Sequence, residues 1–180
     1  MKYFSILTFL FAILTGCRKD TLLQEKRQDF ADLTGYLNTE QKELRSNKVS
    51  YEKTIVFNGK REKKVPEHFE WGKELKPFYE CDLNQTSMIS DYRCDTLKQG
   101  DSTTVTYSAI SKKEKVRHLH IVLHNHSIHS INIRTSIRNP WFTLERELYY
   151  EKGNGYSIAE NRKMALTGRD SLNIRVIFRP

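Results

Sequence analysis

After residue 50 the chain alternates apolar and polar positions in short runs broken by turn residues. Leu172, Ile174, Val176 and Phe178 show the period of two that places side chains on one face of a strand. The same alternation predicts strands over 51–57 and 60–65, joined by the hairpin dipeptide Asn58-Gly59. Residues 91–97 and 103–110 form a second hairpin across Gln99-Gly100-Asp101. Residues 115–124 and 128–138 form a third, and 141–150 and 156–166 a fourth across Gly153-Asn154-Gly155. Residues 172–178 complete a set of nine.

An earlier stretch has a different period. Leu23, Phe30, Leu37 and Leu44 recur every seven residues, with Leu33 and Tyr36 on the same side. This predicts an amphipathic helix over 21–48, weakened near Gly35 and Asn38-Thr39. A second helix is expected to start at Pro66, carrying Phe69, Trp71, Leu75, Phe78 and Tyr79 inward, with Pro77 limiting its regularity. The expected fold is α+β: a curved antiparallel meander of about nine strands with two helices packed on one face. Alternation leaves the other face polar.

The N-terminal residues point to a compartment. Lys2 precedes a mostly apolar run over 4–14, too short to span a membrane and of the length of a secretory h-region. Leu14-Thr15-Gly16-Cys17 resembles the lipobox of bacterial lipoprotein precursors. That resemblance implies a signal peptide over 1–16, lipidation of Cys17 and a single mature domain over 17–180 that opens with the amphipathic helix. It implies a protein held to a membrane of the cell envelope by acyl chains, with the outer membrane as the expected site. Arg18-Lys19-Asp20 is a mixed charged run, and Asp is absent from the position after Cys17.

Thirty Lys and Arg stand against 22 Asp and Glu, a net charge of +8. The charges are interspersed and form no basic stripe, which argues against nucleic acid. A basic chain in this compartment fits anionic lipid or polysaccharide better. With Cys17 lipidated, Cys81 and Cys94 remain, an even pair in an oxidising compartment. A disulfide between them is the expectation, with two buried thiols as its rival.

Five of the six histidines fall within twelve residues: His118, His120, His124, His126 and His129. On a strand, His118, His120 and His124 face away from Leu119, Ile121 and Leu123. A bulged turn over 125–127 would place those aliphatics with Ile131 and Ile133 on one core face. His-x-His on a strand is a usable metal geometry, so His118, His120 and His129 are candidate ligands. No carboxylate or thiol sits in the hairpin, and Arg117 and Arg134 oppose a cation. A solvated sheet face is the simpler expectation.

No cofactor or nucleophile motif occurs, and no catalytic residue is assigned. The pairs Glu145/Glu147 and Glu67/Glu70 read as solvated faces. The aromatic residues Trp71, Phe78, Tyr79, Trp141, Phe142, Tyr149 and Tyr150 read as core.

The segments Asp32-Leu33-Thr34-Gly35-Tyr36-Leu37 and Trp71-Gly72-Lys73-Glu74-Leu75, with Asp82-Leu83-Asn84 and the later hairpins, resemble uncharacterised lipoproteins of Bacteroidota. That resemblance implies compartment and fold and no activity. The leading expectation is a noncatalytic binding or accessory protein of the envelope, meeting a small ligand or an envelope protein. Its rival is a carrier of hydrophobic ligand, by fold-level analogy with the half-barrels of LolA and LolB. An enzyme is the third.

Overall fold

Asn58 and Gly59 both take positive φ, 46° and 81°, as the turn of a tight hairpin requires. In the computed structural model they join β1 (Ser50–Phe57) to β2 (Lys60–Lys64). The structure describes residues 31–46, 49–65, 69–86, 89–125 and 127–179. The remaining strands are β3 (Tyr92–Gln99), β4 (Ser102–Ala109), β5 (Val116–His124), β6 (Ser127–Arg138), β7 (Phe142–Glu151), β8 (Gly155–Met164) and β9 (Gly168–Arg179). All nine pair antiparallel in one open sheet, ordered β2-β1-β9-β8-β7-β6-β5-β4-β3.

β3 to β9 form the expected meander. The first hairpin then pairs with the last strand, with Tyr51 opposite Phe178 and Ile55 opposite Ile174. This long-range pairing is invisible to local alternation. The two edges are polar: every residue of β2 is exposed, four of its five being Lys or Arg, and β3 exposes Arg93, Asp95 and Lys98. Charged edges deter pairing with another chain.

The helical part is smaller than expected, so the fold is mostly sheet. Helix α1 spans Leu33–Ser46; the predicted residues 21–30 lie outside the described residues. Asp32 sets its start by accepting a 2.8 Å hydrogen bond from the Gly35 amide, an N-cap arrangement. The second predicted helix, whose expected start at Pro66 lies outside the described residues, is broken into α2 (Trp71–Glu74) and α3 (Lys76–Tyr79). A further turn, α4 (Leu83–Thr86), and a 3-10 turn (Ile89–Asp91) follow. Pro77 explains the break, because it has no N–H for the Lys73 carbonyl. Leu75 adopts φ −89° and ψ −1° between the two turns.

Leu33, Leu37 and Leu44 of α1 pack with Trp71, Leu75, Phe78 and Leu83 on one sheet face. That face supplies Leu119, Ile121, Ile131, Ile133, Leu148, Tyr150, Tyr156, Val176 and Phe178. Leu33, Leu37, Leu75, Phe78, Leu119, Ile131, Ile133, Leu148 and Tyr150 are all fully buried. The helices and the sheet therefore interlock along this seam.

Candidate functional site

Among the described residues, the opposite sheet face carries no helix and is largely polar. Its residues fall in continuous cross-strand rows. One row runs Asp95, Thr106, His120, Asn132, Tyr149, Ser157, Arg175, Thr54 and Lys63 from edge to edge. The next runs Arg93, Ser108, His118, Arg134, Glu147, Ala159, Asn173, Val56 and Arg61. Period-two alternation kept through nine strands makes these rows.

The histidine hairpin is phased as the sequence predicts. His118 and His120 are exposed, whereas Leu119 and Ile121 are buried and Leu123 is half-buried. The register passes from Val122–Ser130 to Leu123–Ile128, so His129 is the extra residue of a bulge. That bulge aligns Ile131 and Ile133 with the core. Each exposed imidazole meets a hydroxyl of β4: His120 Nδ1 lies 3.0 Å from Thr106 Oγ1, and His118 Nδ1 lies 3.3 Å from Ser108 Oγ. His124 stacks on His129 at 4.6 Å between ring centroids. His129 Nε2 lies 3.7 Å from Glu151.

The structure does not bring His118, His120 and His129 together as a metal site. Among the described residues no group of three His, Cys, Asp or Glu is placed to hold a metal ion. The bulge turns His129 toward Glu151 and His124, while the Nδ1 atoms of the other two point at hydroxyls. His126 lies outside the described residues.

Beside His118 the face hollows into a groove of about 530 Å³. Lys112, Arg117, Arg134, Arg138, Glu145, Glu147 and Asn161 line it. A second hollow of about 500 Å³ shares Glu145 and Asn161 and adds Asn58, Arg162, Lys163, Arg169 and Asp170. Both Glu145 and Glu147 are held by arginines, Arg138 at 2.7 Å and Arg134 at 3.2 Å. The expectation that this carboxylate pair is a solvated face therefore stands. Glu70 pairs with Lys73, and Glu67 lies outside the described residues. Arg117 donates to the backbone carbonyls of Ser111 and Glu114, which fixes the β4–β5 loop against the groove. The groove was not legible as a site, because its residues come from four strands and a loop. Each is an ordinary polar position in its own strand.

The expected disulfide is corrected. Cys81 and Cys94 are free thiols, one buried just after α3 and one exposed on the edge strand β3. The Cys81 thiol turns back to the Pro77 carbonyl at 3.2 Å, and burial pushes its pKa up to about 11. Cys94 pairs across the ladder with Tyr107 instead. Of the aromatic set, Trp71, Phe78 and Tyr150 are core, whereas Trp141 and Tyr149 are exposed. Cys17 lies outside the described residues.

No family model matches the chain, and neither a curated protein nor a solved structure shows significant similarity to it.

Proposed function

We propose that this chain is a lipid-anchored protein of the cell envelope, acylated at Cys17, that acts as a noncatalytic binding or accessory protein. Its ligand or partner engages the polar face of the sheet. One observation carries the reading: one face is filled by helices, while the other presents continuous, largely polar rows and two adjoining hollows. A surface of Ser, Thr, Asn, His and paired Arg and Glu suits a polar partner. The twist of nine strands would curve that face.

The filled seam supports this reading over a carrier of hydrophobic ligand. Such a carrier needs an apolar cavity of a few hundred Å³ between helices and sheet. The centre of that seam is occupied by fully buried side chains such as Leu37, Phe78, Ile133 and Tyr150. The hollow of about 290 Å³ left at its edge, against Leu44, Val49 and Phe178, is bordered by the charged Glu40, Glu43 and Lys152.

The test has two arms. Labelled palmitate fed to the producing cell should appear on the wild-type protein and be absent from Cys17→Ser, which should leave the membrane fraction. In the second arm, the protein carries a photoreactive group at Thr106 or Asn132 and is cross-linked in envelope extracts. The control carries the same group at Glu43, exposed on α1 on the helix-covered side. A partner captured from Thr106 and Asn132 but not from Glu43 supports the polar face, and capture from Glu43 alone overturns it. Retention of acylation by Cys17→Ser overturns the anchor.

A further inference from the structure

We infer that one end of the sheet is a docking surface for an anionic lipid bilayer; the inference rests on the envelope-lipoprotein reading. Four connections meet at this end: the β1–β2 turn, the β4–β5 loop, the β6–β7 turn and the β8–β9 turn. Trp141 and Leu166 stand at two of these tips, 72 % and 91 % exposed. Phe57, Ile110 and Met164 are also exposed there, so five of the eight large exposed apolar residues among the described ones share one end. The tips are neighbours: the Ala165 amide donates to the Trp141 carbonyl at 2.9 Å, and Met164 pairs with Phe142. Three strand spacings of about 4.8 Å place the β1–β2 turn roughly 15 Å from Trp141.

The charge at this end is mainly positive, although Asp91 also lies there and Lys115, Arg138 and Arg162 are paired with Glu80, Glu145 and Glu160. Residues 57–61, 110–115, 138–142 and 162–170 carry nine Lys or Arg against two carboxylates, Glu114 and Asp170. Asp170 is already engaged by the Asn58 amide at 2.8 Å. Lys60, Arg61, Lys112, Lys113, Lys163 and Arg169 are all exposed. At the opposite end the turns at 99–102, 124–127 and 151–155 carry Lys152 against Asp101 and Glu151, with Lys64 and Arg179 closing β2 and β9 on that side. Apolar tips inside a basic rim match an anionic interface, where Trp prefers the headgroup level and each cation adds attraction.

The path of the chain agrees. The Ala31 amide donates to the hydroxyl of Tyr107, two residues from the end of β4 that lies at this side. From there α1 runs toward the other end, where Glu40 and Glu43 meet Lys152 in the β7–β8 turn. Ala31, the first described residue, therefore lies toward the basic end.

Trp71 and Trp141 are the two tryptophans of the chain, and Trp71 is buried, so Trp141 reports on the surface. The full protein is reconstituted on phosphatidylcholine vesicles and on vesicles containing phosphatidylglycerol, and acrylamide quenching is compared. With the anionic lipid, Trp141 should lose several-fold of its quenching and become quenchable by brominated acyl chains. Lys163→Glu/Arg169→Glu should restore the phosphatidylcholine behaviour, and Leu166→Ser should weaken binding of the Cys17→Ser protein to anionic vesicles by about tenfold. Equal quenching on both vesicles, with the protein anchored, overturns the inference. So does a Trp141 already shielded without vesicles, which would mean a second copy or the chain's own N-terminal segment covers it. Failure of the anchor looks different: a protein without acyl groups that ignores phosphatidylcholine yet still binds phosphatidylglycerol.

Discussion

The Tyr150 hydroxyl donates a 2.8 Å hydrogen bond to Glu40, tying the middle of α1 to β7 inside the core. Glu40 is 2 % exposed and also takes the Lys152 ammonium at 2.9 Å. The same arrangement recurs at α2. Glu74 accepts from Tyr156 at 2.5 Å and meets Lys53 at 2.5 Å. In both, a helix carboxylate is held by a tyrosine of the sheet and by a lysine, Lys152 of the β7–β8 turn in one case and Lys53 of β1 in the other. A buried carboxylate is tolerable only with such partners.

Tyr150→Phe keeps the ring in the core and removes the donor. It should cost about 1–3 kcal/mol, because the carboxylate is left under-satisfied in a buried site. Lys152→Ala should cost less, since Lys152 is half-exposed and solvent screens it. Urea unfolding of both variants checks this, and a neutral Tyr150→Phe would remove the clamp from the account of stability.

Alkaline sensitivity follows from the same groups. Burial, with the Glu40 carboxylate second, raises the pKa of Tyr36 and Tyr150 above the ordinary value near 10. Tyr156 is raised too, by burial first and the hydrogen bond to Glu74 next. The unfolded chain therefore releases these protons at lower pH than the folded one. Their contribution is fully present below about pH 10 and is lost as pH rises, by about 1.4 kcal/mol per pH unit for each tyrosine. Cys81 adds a loss beginning near pH 9 and ending near 11. Urea midpoints between pH 8 and 11 should fall steeply, and less steeply in Tyr150→Phe/Tyr156→Phe.

All nine strands were legible because alternation and turn chemistry are local. Asn58-Gly59 fixes its turn by backbone preference, and Leu119, Ile121 and Leu123 announce their face by spacing alone. A bulge in this hairpin was expected at the turn 125–127; the extra residue is instead His129 in β6, with the same effect of bringing Ile131 and Ile133 onto the core face. What was lost is non-local. The pairing of β1 with β9 depends on two segments over a hundred residues apart in the chain. The groove beside His118 exists only once β5 to β8 lie side by side. Pro77 was recognised as a disturbance, but whether it kinks or ends a helix depends on where Leu75 and Phe78 find the sheet. The cysteines misled because even number and compartment say nothing of side-chain direction.

Free thiols in different surroundings predict unequal reactivity. Cys94 should react with a thiol reagent in the folded protein, whereas Cys81 should react only on unfolding, since burial holds its thiol protonated. Cys94→Ser should change stability little, and Cys81→Ser should cost about 1–3 kcal/mol by placing a hydroxyl in an apolar site. Thiol counting before and after denaturant decides it. No reactive thiol in the unreduced, unfolded protein, with two appearing after reduction, would restore the disulfide.

Gly155 is the backbone position least able to change. It opens β8 with φ +134°, and a Cβ there would sit 2.1 Å from the Val176 carbonyl oxygen of β9. The obstacle is backbone, so no side chain can swing aside. Gly153, two residues earlier in the same turn, has φ +75° and open space around it. Gly153→Ala should therefore cost only about 1 kcal/mol, the conformational penalty alone. Gly155→Ala must also push β8 from β9 at the pair Tyr156–Val176, beneath the Glu74 clamp. Its cost should exceed about 3 kcal/mol, with lost amide protection in β8 and β9 measured by hydrogen exchange. Equal, small losses in the two variants would show that the strands part here more easily than the contact implies.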